Sequence, residues 1–208
     1  MAAREVRHLR ARDYRNVPWR NGRGMTTELA LWPDGASFER ADFDWRISTA
    51  RIEESGPFSE FSGFDRILVV TEGAGVLLDH GAHAPRARLR RLEPYRFGGD
   101  WPTRCELVRG AVLDFNVLAR RGKVNAETMA VQIGSRKLRE PVGANQAFLH
   151  VQGGALTARV SGEETPFELS AGDSLRLDGL SAHDELDLAG KSEQTIVLFV
   201  RLTELHSP

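Results

Sequence analysis

Ile67-Leu68-Val69-Val70-Thr71-Glu72-Gly73-Ala74-Gly75-Val76-Leu77-Leu78 holds the reading that decides the fold. An apolar, β-branched run meets a Gly-Ala-Gly turn, and a second apolar run follows, as in a hairpin of two buried strands. The arrangement returns at Phe148-Leu149-His150-Val151-Gln152-Gly153-Gly154-Ala155-Leu156-Thr157-Ala158-Arg159-Val160. Beyond each copy lies a glycine-acid turn, Phe97-Gly98-Gly99-Asp100 and Leu169-Ser170-Ala171-Gly172-Asp173. Then Val112-Leu113-Asp114-Phe115-Asn116-Val117-Leu118 aligns with Ile196-Val197-Leu198-Phe199-Val200-Arg201-Leu202, which sets Asp114 against Leu198 and Asn116 against Val200. Strands are expected at 66–72, 75–79, 111–118, 147–152, 156–160, 174–177 and 195–202. No segment sustains a period near 3.6, so the chain reads as all-β and internally duplicated, with few short helices.

Strand, glycine turn, strand and Gly-Asp turn in that order resemble a cupin (RmlC-like) jelly roll, which implies two tandem barrels forming one compact bicupin. The halves are expected at 1–122 and 123–208, joined near 120–125 without a flexible linker. The first half carries the expected ligand pocket and the second is mainly scaffold.

Bulk properties exclude several classes. Lys and Arg number 28 against 29 Asp and Glu, which gives no field for nucleic acid or an anionic membrane. Cys105 is the only cysteine, so no internal disulfide or cysteine metal cluster forms. The first fifteen residues are charged throughout and read as no secretory signal, and no apolar run is long enough for a bilayer. The expected location is cytoplasmic, and homodimer formation is left open.

Near the N-terminus lies Pro18-Trp19-Arg20-Asn21-Gly22-Arg23-Gly24-Met25-Thr26-Thr27-Glu28, where two glycines let polar groups converge beside a Trp. With Trp45-Arg46-Ile47-Ser48-Thr49-Ala50, Gly56-Pro57-Phe58-Ser59, Asp65-Arg66 and Asp114-Phe115-Asn116, this stretch resembles the HutD/Ves family. The likeness is dense from Trp19 to about Arg121. It implies a bacterial bicupin of histidine catabolism that lacks a catalytic metal and keeps its pocket in the N-terminal half. Arg23 stands where the family often has a third glycine.

Metal-binding cupins converge imidazoles and a carboxylate on the metal. Here Arg66 takes the place of the glutamate, seven residues before Gly73, and no histidine lies between His8 and His80. No metal and no cofactor are therefore expected. His80 and His83 read as an exposed polar turn, and His150 as a packed residue of an apolar strand that could line the second barrel. Cys105 has no predictable activating base. The arginines at 86, 88, 90 and 91 read as a solvated strand face.

Alternation along the strands does more. Trp45, Ile47 and Thr49 share one face and Arg46, Ser48 and Ala50 the other, while Asp114 and Asn116 oppose Leu113, Phe115 and Val117. Arg46, Ser48, Asp114 and Asn116 are thus expected inside one barrel. Pairing of Arg46 or Arg66 with Asp114 or Asp65 is the structural explanation. A polar cavity for a ligand is the functional one, favoured because the second half carries hydrocarbon at the matching positions. The expected ligand-binding set is Trp19, Asn21, Gly22, Gly24, Thr26, Glu28, Arg46, Ser48, Ser59, Phe61, Asp65, Arg66, Phe97, Asp114 and Asn116, with no catalytic residue.

Arg46 or Arg66 would clamp a carboxylate, Asn21, Ser48 and Asn116 would read nitrogens and oxygens, and Trp19 and Phe97 would stack on a planar body. Urocanate, formiminoglutamate and formylglutamate, all carboxylate-bearing metabolites of histidine breakdown, have these groups. The expectation is a non-catalytic small-molecule binder that modulates histidine utilisation. Two alternatives stand beside it: a metal-independent isomerase- or epimerase-like enzyme with Glu28 or Asp114 as base, and an interaction module contacting proteins through the Trp19 loop.

Overall fold

The computed structural model describes residues 4–19, 24–181 and 183–205. Its first strands are β1 (Glu5–Leu9), β2 (Arg15–Pro18), β3 (Met25–Trp32), β4 (Trp45–Ile52), β5 (Gly56–Pro57) and β6 (Phe64–Glu72). Next come β7 (Val76–Asp79), β8 (Ala87–Leu89), β9 (Tyr95–Gly98), β10 (Arg104–Leu107), β11 (Val112–Arg120), β12 (Val124–Gln132) and β13 (Lys137–Pro141). The last are β14 (Gln146–Gly153), β15 (Ala155–Val160), β16 (Phe167–Ser170), β17 (Ser174–Asp178), β18 (Glu185–Gly190) and β19 (Ile196–Glu204). Among the described residues the helical content is a single 3-10 turn, Ala11–Asp13, so none offers a helix long and apolar enough to cross a membrane. The seven strands expected from apolar runs all form, and the chain is all-β.

Among the described residues the chain divides into two compact units, one of Tyr14–Val124 with Leu205, the other of Asn125–Glu204 with residues 4–13. In the first, a six-stranded sheet β2-β3-β4-β11-β6-β9 stands with a four-stranded sheet β5-β10-β7-β8. Ile52, Leu68, Val70, Phe97 and Val112 of the larger sheet pack on Val76, Leu78, Leu89 and Cys105 of the smaller. Burying side chains of this size contributes roughly 1.5–3 kcal/mol each, which holds the sheets face to face.

The second unit has a five-stranded sheet β1-β17-β14-β19-β12 and a four-stranded sheet β13-β18-β15-β16. Ala147, Leu149, Val151, Val197 and Phe199 meet Leu156, Ala158, Leu186 and Leu188 in its core. The strand β1 comes from the start of the chain and pairs antiparallel with β17, Val6 opposite Leu177.

Ladder register corrects the internal alignment by one residue. On β6 and β11, Val70 faces Asp114 and Leu68 faces Asn116; on β14 and β19, Val151 faces Val197 and Leu149 faces Phe199. Each ladder has one irregularity next to these pairs. Asp114 and Asn116 therefore correspond to Val197 and Phe199, not to Leu198 and Val200. Gly73 likewise corresponds to Gly154: both have positive φ, and a Cβ on either would come within 2.7 Å of the residues that lead into β11 or β19. A one-residue slip exchanges the two faces of a strand. The chemical contrast survives it, because Val197 and Phe199 are also hydrocarbon.

Candidate functional site

Three cross-strand rows build the inner face of the six-stranded sheet. Thr26, Ala50, Asp114 and Val70 stand in the first row, and Glu28, Ser48, Asn116 and Leu68 in the second. The third runs Leu31, Arg46, Leu118, Arg66 and Phe97. Alternation sets this placement on β4, β6 and β11, and on β3 the irregularity between Glu28 and Ala30 brings Leu31 into the third row. Spacing across two strands puts the Arg46 and Arg66 Cα atoms roughly 10 Å apart on either side of Leu118.

The two arginines are held differently. Arg46 Nε donates to Glu28 Oε2 at 2.7 Å, and its guanidinium lies 4.2 Å above the Phe38 ring. Arg66 Nε donates to Asn116 Oδ1 at 2.9 Å, and Nη2 donates to the same oxygen. Its guanidinium carbon stands 4.4 Å from the centre of Phe58, 5.5 Å from Phe97 and 5.9 Å from Phe61. Among the described residues Arg66 has no carboxylate in ion-pair range, because Glu28 is committed to Arg46 and Asp65 to other partners. Burial pushes the Arg66 pKa down to about 10, against the opposing charge of Asp114. Burial raises the Asp114 pKa, with Arg66, the Asn116 side chain and the Ala50 N–H pulling the other way. Ala50 N donates to Asp114 Oδ1 at 3.0 Å.

The polar residues of this face are not sealed. Glu28, Ser48, Asn116 and Arg66 keep 9, 4, 7 and 7% of their surface exposed, whereas Leu68, Val70 and Leu78 keep none. The face carries two carboxylates, Glu28 and Asp114, among two guanidiniums, an amide and a hydroxyl. No group of three His, Cys, Asp or Glu that could hold a metal ion occurs among the described residues, and a cation beside Arg66 would meet its repulsion.

Several expected residues stand elsewhere. Asp65 lies on the other face of β6, paired to Arg96 at 2.7 Å and Arg121 at 3.0 Å, and Ser59 is exposed. Trp19 Nε1 donates to Thr26 Oγ1 at 2.9 Å, with the indole resting on Gly24. Asn21 and Gly22 lie outside the described residues.

His80 opens the expected turn, its carbonyl accepting from His83 N at 3.2 Å, but it is fully buried, against Tyr95, Phe97 and Trp101. Thr103 Oγ1 donates to the Trp101 carbonyl, so it accepts at 2.9 Å from His80 Nδ1–H. His83 is exposed and stacks on Trp101. His150 is buried on the outer face of β14, bonded to Ser174, and does not line the second core. The arginine run lies along and beside the edge strand β8, where Arg86 pairs with Glu106 and Arg90 with Glu93. Phe38 and Phe58 are missing from the expected site. Phe58 lies within the quoted Gly-Pro-Phe-Ser motif, while Phe38 sits in a segment whose sequence carries no period.

Comparison with known proteins decides the family: the family model described as HutD matches residues 11–197. The chain belongs to the HutD family. A 21.2 kDa protein from the hutC 3′ region of Pseudomonas putida, itself uncharacterised, is 35% identical over 88% of this chain and 90% of its own length. Protein Ves of Citrobacter koseri is 36% identical over 55% of this chain and 60% of its own. The structure of HutD from Pseudomonas fluorescens SBW25, solved in a formate condition, superposes with TM-score 0.75 at 30% identity, covering 96% of this chain and 99% of that one. At 10% identity, a bacterial pirin from Escherichia coli matches with TM-score 0.63 over 96% of this chain and all of that one, a likeness of cupin-like fold alone. In this HutD-family chain the motifs that signalled the family also build the rows around Arg66.

Proposed function

We propose that this HutD-family protein binds a small carboxylate-bearing metabolite on the inner face of its first unit and thereby modulates histidine utilisation. Family membership and the hutC-region relative give the chain a role in histidine utilisation. One observation carries the finer reading: Arg66 is buried, caged by phenyl rings, and bonded on a single edge to an amide oxygen. A guanidinium has five N–H donors, and an uncompensated buried cation is costly, so the remaining edge suits a ligand carboxylate. Asn116 and Ser48 supply polar contacts beside it, and Phe58 and Phe97 supply apolar walls. Urocanate, formiminoglutamate and formylglutamate remain the candidate ligands, and the HutD structure solved in a formate condition makes formate a fourth probe.

A thermal-shift panel with these four compounds tests the reading. Ligand at a hundredfold excess over its Kd adds ~2.7 kcal/mol, which raises the midpoint roughly 2–4 °C in a chain of this size. The expected result is a shift with at least one compound that disappears in Arg66→Met. No shift with any of them, or a shift that survives Arg66→Met, would remove the first unit as the binding site.

A further inference from the structure

Four buried side chains of the acidic and basic types stand on the inner face of the six-stranded sheet: Glu28, Arg46, Arg66 and Asp114. With all four ionised their charges cancel. Glu28 and Arg46 form a closed pair at 2.7 Å. Arg66 and Asp114 do not close on each other. Arg66 bonds Asn116 Oδ1, and Asn116 stands two residues from Asp114 on the same face of β11. The amide is thus turned with its oxygen to the cation. Asp114 is 1% exposed and takes one backbone N–H, from Ala50. It is the less compensated of the two acids.

A carboxylate that binds Arg66 brings at least one negative charge into this balanced set. Water cannot screen it well there, and it competes with Asp114 for the same guanidinium. When two carboxylates share one buried site, the pKa of one of them is raised. Resting on the ligand-binding reading above, we propose that the protein takes up a proton from solvent as it binds its carboxylate ligand, and that Asp114 receives it and stays in the complex as a neutral acid.

The other groups facing Asp114 leave it as the acceptor. β6 presents Arg66 and Val70, β4 presents Ala50, and its own strand presents Asn116. Across the core, β10 presents Cys105, whose thiol is already protonated because burial and the Asp114 charge push it up to about 12. Glu28 is closed on Arg46 at 2.7 Å. An ion exchange at a surface arginine would move no proton, so uptake is specific to the buried arrangement.

The test is titration calorimetry of the full chain with N-formylglutamate, whose titratable groups are carboxylic acids alone, from about pH 5 to about pH 9, each pH run in two non-phosphate buffers that titrate there but differ in ionisation enthalpy. The dependence of the heat on the buffer gives the protons moved. Up to about one proton taken up per ligand is expected, with affinity falling up to about tenfold per pH unit on the alkaline side. Asp114→Asn should bind without uptake, and Glu28→Gln should keep it. Binding with no uptake at any pH, or uptake unchanged in Asp114→Asn, overturns the proton assignment and leaves the binding reading standing. If Asp114→Asn does not fold, uptake that persists in Glu28→Gln leaves Asp114 as the remaining carboxylate of this face, and uptake lost in Glu28→Gln overturns the assignment. Absence of binding by formylglutamate, urocanate, formiminoglutamate and formate overturns the binding reading, and the proton assignment with it.

Discussion

Arg46 Nε meets Glu28 Oε2 at 2.7 Å with both side chains buried, so the cation and the anion that the sheet places in adjacent rows neutralise each other. Burial lowers the Arg46 pKa and Glu28 restores part of it, so the pair is electrostatically interdependent.

Removing one partner should therefore cost more than removing both. Glu28→Gln leaves a buried guanidinium without its anion, at roughly 3–5 kcal/mol, whereas Glu28→Gln with Arg46→Met removes the charge as well and should recover most of the loss. Urea midpoints of the four proteins in the cycle give the coupling. Strict additivity would show that the pair contributes nothing as a pair.

His150 sets a dependence on pH. Burial pushes its pKa down to about 4, with Asp173 opposing. The unfolded imidazole titrates near 6.5, so between about pH 6.5 and pH 4 the unfolded state binds the extra proton and stability rises with pH. On acidification through that window, His150 should withdraw up to roughly 3 kcal/mol, and His150→Gln should flatten the curve there. Free energies of unfolding at a series of pH values check this. A profile unchanged by the substitution would assign the loss to other groups.

How far the sequence carried depends on where each signal lies. Period-two alternation placed Arg46, Ser48, Asp114 and Asn116 on one face, because that period is a property of the strand itself. It could not reveal the ladder irregularity beside Asp114, and so the internal alignment slipped by one residue. β1 went unread because an edge strand with charged alternate residues carries little apolar signal. His80 was misread because its own neighbours, Asp79 and Gly81, spell a turn, while the rings that bury it come from Tyr95, Phe97 and Trp101. Arg46 was matched with the wrong acids for a similar reason, since Glu28 reaches it across strands.

The contact between Trp19 and Gly24 shows why the N-terminal motif needs its glycine. Trp19 N donates to Gly24 O at 2.9 Å, and the indole lies so close that a Cβ on Gly24 would stand 2.9 Å from Cε3 and Cζ3. No ordinary Cβ contact is that short, so Gly24→Ala must displace the ring. That breaks the Nε1 bond to Thr26 and loosens the indole from the core of the first unit. Thr26→Val removes the hydrogen bond alone and should cost about 1 kcal/mol, whereas Gly24→Ala should cost ~1–3 kcal/mol and shift the Trp19 emission. Trp19→Phe identifies that emission by subtraction. If Gly24→Ala proves no more damaging than Thr26→Val and leaves the emission in place, close packing of the indole on Gly24 is not what fixes this hairpin.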